Sequence, residues 1–190
     1  VKLDEVVDEL PSYLVPIPSI PFEKRNSKML SKLSEHVVTS SCTVDKRRLH
    51  ELLEEKFGFK SYRKGQLWGI ERTLKGQSSL VVLPTGGGKS LIYQVAAMMT
   101  SGLTLVISPL LSLMRDQLEH LPHGLHGATL NSTMGKVETA RVLRDLRERT
   151  LKILFVSPER LFSASFQRLL ARPGLMPPIS IAVIDEAHCI

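Results

Sequence analysis

Three consecutive glycines followed by a lysine and a serine are the residues whose spacing most directly implies chemistry in this sequence. They lie in the segment Leu83-Pro84-Thr85-Gly86-Gly87-Gly88-Lys89-Ser90. Glycines allow the backbone to curl until successive N–H groups point at phosphate oxygens. In such a loop, Lys89 reaches the β- and γ-phosphates, and the Ser90 hydroxyl binds Mg²⁺. Residues 85–90 are therefore predicted to bind a nucleoside triphosphate; the alternative is a glycine-rich turn before a helix.

A second group of candidate residues follows the last apolar run of the chain. Ile181–Ile184 is apolar, and Asp185-Glu186-Ala187-His188 comes directly after it. Acidic residues at the carboxyl end of a buried strand can hold a metal ion and activate water. Asp185 is predicted to bind Mg²⁺, and Glu186 to orient and deprotonate the attacking water. His188 is predicted to link the nucleotide site to the rest of the protein.

Two side chains upstream of the glycines are suited to recognising an adenine base. Gln66 carries an amide that can bond to the N6 and N7 edge of adenine, and Phe59 carries a ring that can stack on the base. Taken alone, the aromatic residues of this segment favour packing in a core. The adenine role therefore depends on the neighbouring motifs.

These residues need a scaffold, and the apolar runs of the chain provide one. Runs without polar alternation predict buried strands at Ser79–Leu83, Leu103–Ile107, His126–Leu130, Lys152–Val156 and Ile179–Ile184. The segments between them predict helices at Lys64–Leu74, from the glycine loop through Met99, and at Pro109–His120, Lys136–Arg149 and Pro158–Leu170. This alternation indicates an α/β fold with a mostly parallel sheet covered by helices on both faces. Ligands of such sheets bind at the carboxyl ends of the strands, where the motifs lie.

The first 43 residues differ from the remainder. Four prolines between residues 11 and 21 interrupt any periodic pattern, and Ser and Thr are frequent from Ser27 to Thr43. We expect residues 1–43 to be a linker or a poorly structured lead-in. A domain is expected over residues 44–190. Its first helix presents Leu49, Leu52, Leu53 and Phe57 on one face and ends at Gly58.

The composition is that of a globular protein with a basic surplus. The formal net charge is +6, and residues 61–190 carry the whole surplus, which favours polyanionic partners. No apolar run approaches the ~20 residues that a membrane helix needs, so no membrane partner is expected. Two distant cysteines, Cys42 and Cys189, exclude a disulfide framework.

Four motifs, in this order, resemble those of the RecQ family of DNA helicases. They are F-G-F-x-x-Y-R-x-G-Q from Phe57, L-P-T-G-G-G-K-S-L-I-Y-Q from Leu83, S-P-L-L-S-L-M-R-D-Q from Ser108 and D-E-A-H-C-I from Asp185. The resemblance covers about residues 45–190. It implies a RecA-like P-loop NTPase domain of an ATP-driven 3′-to-5′ DNA helicase in recombination, repair and replication, with ATP and Mg²⁺ as cofactors.

The resemblance also implies roles for individual residues. Phe59 matches the aromatic residue that stacks on the base, and Arg63 with Gln66 matches the pair that reads adenine. The segments that match DNA-backbone contacts are Ser108-Pro109-Leu110, Asn131-Ser132 and Ser157-Pro158-Glu159-Arg160. The wording of the second and third motifs is nearest to the Rothmund–Thomson branch of the family.

The chain ends at or just after its fourth motif, so the domain is expected to be incomplete at its C-terminus. The family's second RecA-like domain supplies an arginine finger, and without it the chain alone is expected not to unwind DNA. Two alternatives remain open: a truncated module that binds only a nucleotide or a partner, and an RNA helicase of the same superfamily. The expected location is the nucleus in a eukaryote and the cytoplasm otherwise.

Overall fold

A computed structural model gives the fold and describes residues 14–15, 44–172 and 174–187. Among these, residues 14–15 and 44–96 belong to one compact unit, and the residues from Ala97 onward belong to a second unit. No helix in the described ranges is both long and apolar enough to cross a lipid bilayer.

The first unit consists mainly of helices, which are α1 (Lys46–Phe57), α2 (Gln66–Leu74) and α3 (Lys89–Met99, with its last three residues in the second unit). Helix α1 begins where the Asp45 side chain accepts hydrogen bonds from two backbone N–H groups, which satisfies donors that have no partner within the helix. It ends at Gly58, whose φ of 70° is left-handed. Its buried side chains are Leu49, Leu52 and Leu53. The predicted stop is confirmed, and the predicted apolar face is confirmed for the three leucines, while Phe57 is half-buried.

The strand before the glycine loop differs from the prediction. Strand β2 covers only Leu80–Val81 and pairs antiparallel with β1 (Leu14–Val15). Leu80 is 43% exposed and Val82 is 57% exposed. The predicted buried strand over Ser79–Leu83 was therefore wrong. Pro84 has no N–H to donate, so strand pairing cannot continue through it to the loop.

The second unit is built on a four-stranded parallel sheet. Its strands are β3 (Leu103–Ile107), β4 (Gly127–Leu130), β5 (Ile153–Val156) and β6 (Ile179–Ile184), in the order β4-β5-β3-β6. Every residue of the central strands β3 and β5 is buried, as expected for parallel strands covered on both faces. All four strands occur where apolar runs predicted them.

Helices flank this sheet and complete its core. They are α4 (Leu111–Glu119), α5 (Lys136–Arg147), α6 (Pro158–Phe162) and α7 (Ala164–Ala171). Leu146 of α5 and Phe166 of α7 pack in one apolar cluster with Leu105 and Leu154 of the central strands. The single helix predicted over Pro158–Leu170 was wrong, because Ser163 interrupts it with a ψ of 142°. Its hydroxyl accepts from the Phe166 N–H and starts a new helix there.

Candidate nucleotide site and strand-end row

The phosphate loop in the first unit is shaped by backbone angles that only glycine adopts readily. Gly86 and Gly88 have φ values of 74° and 76°. The Gly87 N–H donates to the Pro84 carbonyl at 2.8 Å and closes a turn whose third position is Gly86. Turns of this kind need a left-handed residue at that position. Gly86 and Gly88 therefore give the loop a shape that other residues would adopt only with strain.

The loop leads directly into the N-terminus of a helix. Lys89 is the first residue of α3, which has 11 residues. The first N–H groups of a helix have no partner within it. These N–H groups and the positive end of the helix dipole both attract anions. A cavity of about 680 Å³ lies along the loop, lined by Arg63, Lys64 and residues 82–87. Its size suits a nucleotide-sized ligand. A smaller cavity, of about 370 Å³ along α1, is lined by charged side chains of both signs, so its charge favours no anion.

Gln66 and Arg63 are held against the phosphate loop. The buried Gln66 amide donates to the carbonyls of Gly87 at 3.2 Å and Gly88 at 3.1 Å. Its oxygen accepts from the Arg63 N–H at 2.8 Å. The Arg63 guanidinium donates to the Gly86 carbonyl. Both predicted adenine readers thus contact the loop that is predicted to hold phosphates.

The segment that carries Phe59 is anchored to α1. The Tyr62 hydroxyl donates to the Leu49 carbonyl at 2.6 Å, and burial raises the pKa of Tyr62 to about 12. The Tyr62 ring also packs edge-on against His50. Phe59 itself is 52% exposed, so its ring is accessible to a base.

In the second unit, four polar residues form one row at the carboxyl end of the sheet. The last residues of the strands are in register, Leu130 with Val156 and Ile107 with both Val156 and Ile184. The next residue of each strand is buried and polar. In sheet order these residues are Asn131, Ser157, Ser108 and Asp185, which we call the strand-end row.

Backbone hydrogen bonds extend the ladder into this row. The Ser157 N–H donates to the Leu130 carbonyl at 3.2 Å, and the Ser108 N–H donates to the Val156 carbonyl at 3.1 Å. The Asp185 N–H donates to the Ile107 carbonyl at 2.9 Å. The row therefore has the rigidity of the sheet, although its residues lie beyond the strands.

Most side chains of the row have local hydrogen-bond partners. Asn131 accepts from the Thr133 N–H at 3.0 Å, and Ser157 accepts from the Arg160 N–H at 3.3 Å. The Ser108 hydroxyl is the exception in the row, because its oxygen is buried and has no hydrogen-bond partner. An orphaned buried hydroxyl is costly to the fold.

Asp185 has the environment of a metal-binding carboxylate. It is 8% exposed, its Oδ1 accepts from the Glu186 N–H at 3.1 Å, and its Oδ2 accepts from the Gln117 amide at 3.1 Å. A carboxylate has about four lone-pair positions, so room remains for a cation or its water. No group of three or more His, Cys, Asp or Glu side chains forms a metal site within the described residues. Mg²⁺ needs only one or two carboxylates beside phosphates and water, so this donor set fits it.

Glu186 follows in a strained conformation. Its φ of 49° lies in the left-handed region, which non-glycine residues rarely adopt. Such angles concentrate at functional sites. His188, the other predicted residue of this motif, lies outside the described residues.

The predicted site residues thus fall into two groups. Arg63 and Gln66 meet the glycines in the first unit, while Ser108, Asn131 and Ser157 share a row with Asp185 in the second unit. The row hides the serine side chains, at 0% exposure for Ser108 and 1% for Ser157, while Leu110 is 48% exposed. Accessible contacts with DNA are therefore expected from Leu110 and the exposed Ser132. The sequence indicated no role for Gln117, the last residue of the motif that starts at Ser108, because its partner Asp185 lies 68 residues away.

Comparison with known proteins shows the family of the chain. The model of the DEAD/DEAH box helicase family matches residues 63–190. The chain belongs to the DEAD/DEAH box helicase family. This range contains the phosphate loop and the whole strand-end row.

Several curated proteins to which the chain is similar are RecQ-type helicases. It is 42% identical to ATP-dependent DNA helicase Q-like 5 of Arabidopsis thaliana over 88% of this chain and 18% of that protein. It is 43% identical to ATP-dependent DNA helicase RecQ of Pasteurella multocida over 87% of this chain and 26% of that protein. The predicted resemblance to the RecQ family is confirmed. The chain spans about a fifth to a quarter of the length of these two relatives.

A solved structure supports the fold. The helicase MrfA, crystallised bound to DNA, matches with a TM-score of 0.51 and 18% identity, over 86% of this chain and 23% of that one. At this identity the likeness concerns the fold alone. It agrees with the predicted RecA-like arrangement, a parallel sheet flanked by helices.

Proposed function

We propose that this chain is the ATP-binding part of a DNA-dependent ATPase that unwinds DNA in the 3′-to-5′ direction. The observation that carries the proposal is the phosphate loop, whose left-handed glycines lead into α3 beside a cavity of about 680 Å³. The RecQ-type relatives supply the helicase class. By the same reasoning, the complete protein acts in recombination, repair and replication, in the nucleus of a eukaryote or the cytoplasm of a bacterium.

ATP is the proposed nucleotide, with Mg²⁺ as its cation. When bound, Mg²⁺ neutralises charge on the phosphates during hydrolysis. Lys89 and the N–H groups of Gly86 and of residues 88–90 bind phosphate oxygens, while the Gly87 N–H closes the turn of the loop. The Ser90 hydroxyl and the Asp185 carboxylate would hold the cation. Glu186 accepts a proton from the attacking water. Phe59 stacks on the base, while Gln66 and Arg63 read adenine.

DNA is the proposed polymer partner, held through its backbone. The segments proposed for this are Ser108-Pro109-Leu110, Asn131-Ser132 and Ser157 with Arg160. All three segments start at the strand-end row, so a DNA contact there would act on the same backbone ladder that holds Asp185. Contacts with phosphates would make DNA affinity fall steeply with salt.

ATP hydrolysis measured with and without single-stranded DNA tests the proposal. The complete protein is expected to hydrolyse ATP faster when DNA is present, and Lys89→Ala is expected to abolish turnover. Lys75→Ala is the matched control, because Lys75 caps the end of α2 away from the phosphate loop. A Lys89→Ala variant with unchanged turnover would refute the assignment of the loop.

The choice of polymer and base is tested with the same assay. Stimulation by RNA in place of DNA would favour an RNA helicase, and nucleotide binding without any turnover would favour a non-catalytic module. Gln66→Ala is expected to weaken ATP binding more than GTP binding. Equal weakening of both nucleotides would remove Gln66 from the adenine site.

A further inference from the structure

Gln117 occupies a position on α4 from which it reaches the strand-end row. Its Nε2 donates to Oδ2 of Asp185 at 3.1 Å. Helix α4 begins at Leu111, immediately after the segment Ser108-Pro109-Leu110. Gln117 lies six residues into the helix, a rise of roughly 9 Å at 1.5 Å per residue. Its amide therefore connects the helix behind a proposed DNA segment to the carboxylate of the D-E-A-H motif.

This contact fixes how the carboxylate is turned. Oδ1 of Asp185 is held by the Glu186 N–H and Oδ2 by Gln117, so each oxygen has one donor. An amide donor orients a carboxylate without neutralising it, whereas an Arg or Lys at this position would pair with its charge. The two donors thereby hold the carboxylate in one orientation for a cation.

We propose that Gln117 is a positioning residue that orients Asp185 for Mg²⁺. The inference rests on the proposed function, in which Asp185 holds the cation. Donors behind a metal ligand commonly set metal affinity, and their loss typically costs about 10- to 100-fold. Gln117 makes no step of the reaction itself and acts through Asp185.

Mn²⁺ affinity measured by electron paramagnetic resonance in the presence of ADP tests this role. Gln117→Met keeps the length of the side chain and removes the donor, and it is expected to weaken Mn²⁺ binding about 10-fold. Glu119→Gln, an exposed change on the same helix, is expected to leave it unchanged. Affinity for ADP in EDTA is expected to be the same in all variants, because no metal takes part in that binding. If Gln117 only stabilised the fold, its replacement would lower the ADP affinity as well.

The double variant Gln117→Met, Asp185→Asn separates this inference from the proposed function. If Gln117 acts through Asp185, the double variant binds Mn²⁺ as weakly as Asp185→Asn alone. Loss of Mn²⁺ affinity in Asp185→Asn with none in Gln117→Met would overturn the inference and leave the role of Asp185 standing. Unchanged affinity in Asp185→Asn would overturn both. Should Gln117→Met unfold, which thermal melting shows, Gln117→Ala replaces it with the same expectations.

Discussion

The phosphate loop and the strand-end row present polar groups by opposite means. In the loop the backbone is the functional part, and its shape depends on left-handed φ values at Gly86 and Gly88. In the row the backbone is ordinary ladder, and the functional parts are buried side chains on neighbouring strands. The comparison teaches that each region is vulnerable to a different kind of substitution. Adding a Cβ harms the loop, while changing a hydrogen bond harms the row.

Gly88→Ala is expected to have the largest effect. The new Cβ would meet the Gln66 amide nitrogen, and the φ of 76° is unfavourable for alanine by about 1–2 kcal/mol. Affinity for ATP, measured by fluorescence titration, should fall at least about 10-fold.

Gly135→Ala is the control for this change. Gly135 precedes α5 with an ordinary φ of −66° and has open space at its Cβ position. If both variants lost ATP affinity equally, the loop would not depend on its left-handed glycines.

Glu186→Gly brings the same test to the residue that follows the row. Glycine adopts the φ of 49° without the strain of about 1–2 kcal/mol that another residue bears there. Because glycine also raises the entropy of the unfolded chain, the free energy of unfolding should rise by no more than about 1 kcal/mol. ATP turnover should be lost because the proposed base is removed. Arg149→Gly, at a φ of 56°, should bring similar stabilisation with turnover intact. Denaturant titration and an ATPase assay on both variants give the comparison, and turnover retained in Glu186→Gly would exclude Glu186 as the base.

Tyr62→Phe tests the anchor beside the loop and should cost about 1 kcal/mol of stability at neutral pH through its lost hydrogen bond. Burial raises the pKa of Tyr62 to about 12 in the folded protein, whereas the pKa in the unfolded chain is about 10. The hydroxyl therefore makes its full contribution to the free energy of unfolding below about pH 10, and this contribution is lost as pH rises from about 10 toward 12. The gap in unfolding free energy between the two proteins should therefore narrow over that range, and a gap independent of pH would contradict this account.

Ser108→Ala should have the smallest effect on stability, in the favourable direction. Its buried hydroxyl has no partner, so removing it should leave the unfolding free energy unchanged or raise it by up to about 1 kcal/mol. Ser157→Ala should lower it by about 1 kcal/mol, because that hydroxyl caps α6. Thermal melts of the two variants test this: a lower melting temperature for Ser108→Ala than for Ser157→Ala would contradict our description of the row.

Sequence patterns predicted the sheet of the second unit well, for a physical reason. Leu103–Ile107 and Ile179–Ile184 have the predicted bounds, because buried parallel strands are continuous apolar runs that differ sharply from their surroundings. The same logic failed at Leu80–Val81, where an apolar segment is short and partly exposed. A short apolar run does not reveal what covers it.

Other features could not be read from local patterns. A serine can lie inside a helix, or its side chain can bond to the backbone and start a new helix. At Ser163 the second arrangement occurs, and the local sequence does not decide between the two. Gln117 gained a role only when the fold brought it to Asp185, 68 residues away. The residue types at the site were thus predictable, but the hydrogen bonds that hold those residues in place were not.

The hydrogen bonds of Gln66 limit how well the protein can distinguish bases. Its amide already donates to Gly87 and Gly88, so pairing with adenine exchanges one set of bonds for another. When a nucleotide with a different base binds, Gln66 keeps its hydrogen bonds to Gly87 and Gly88, and no buried polar group is left without a partner. Since strong discrimination arises when a wrong ligand leaves such groups unpaired, a preference for ATP of tens of fold is expected, far below about 10⁴.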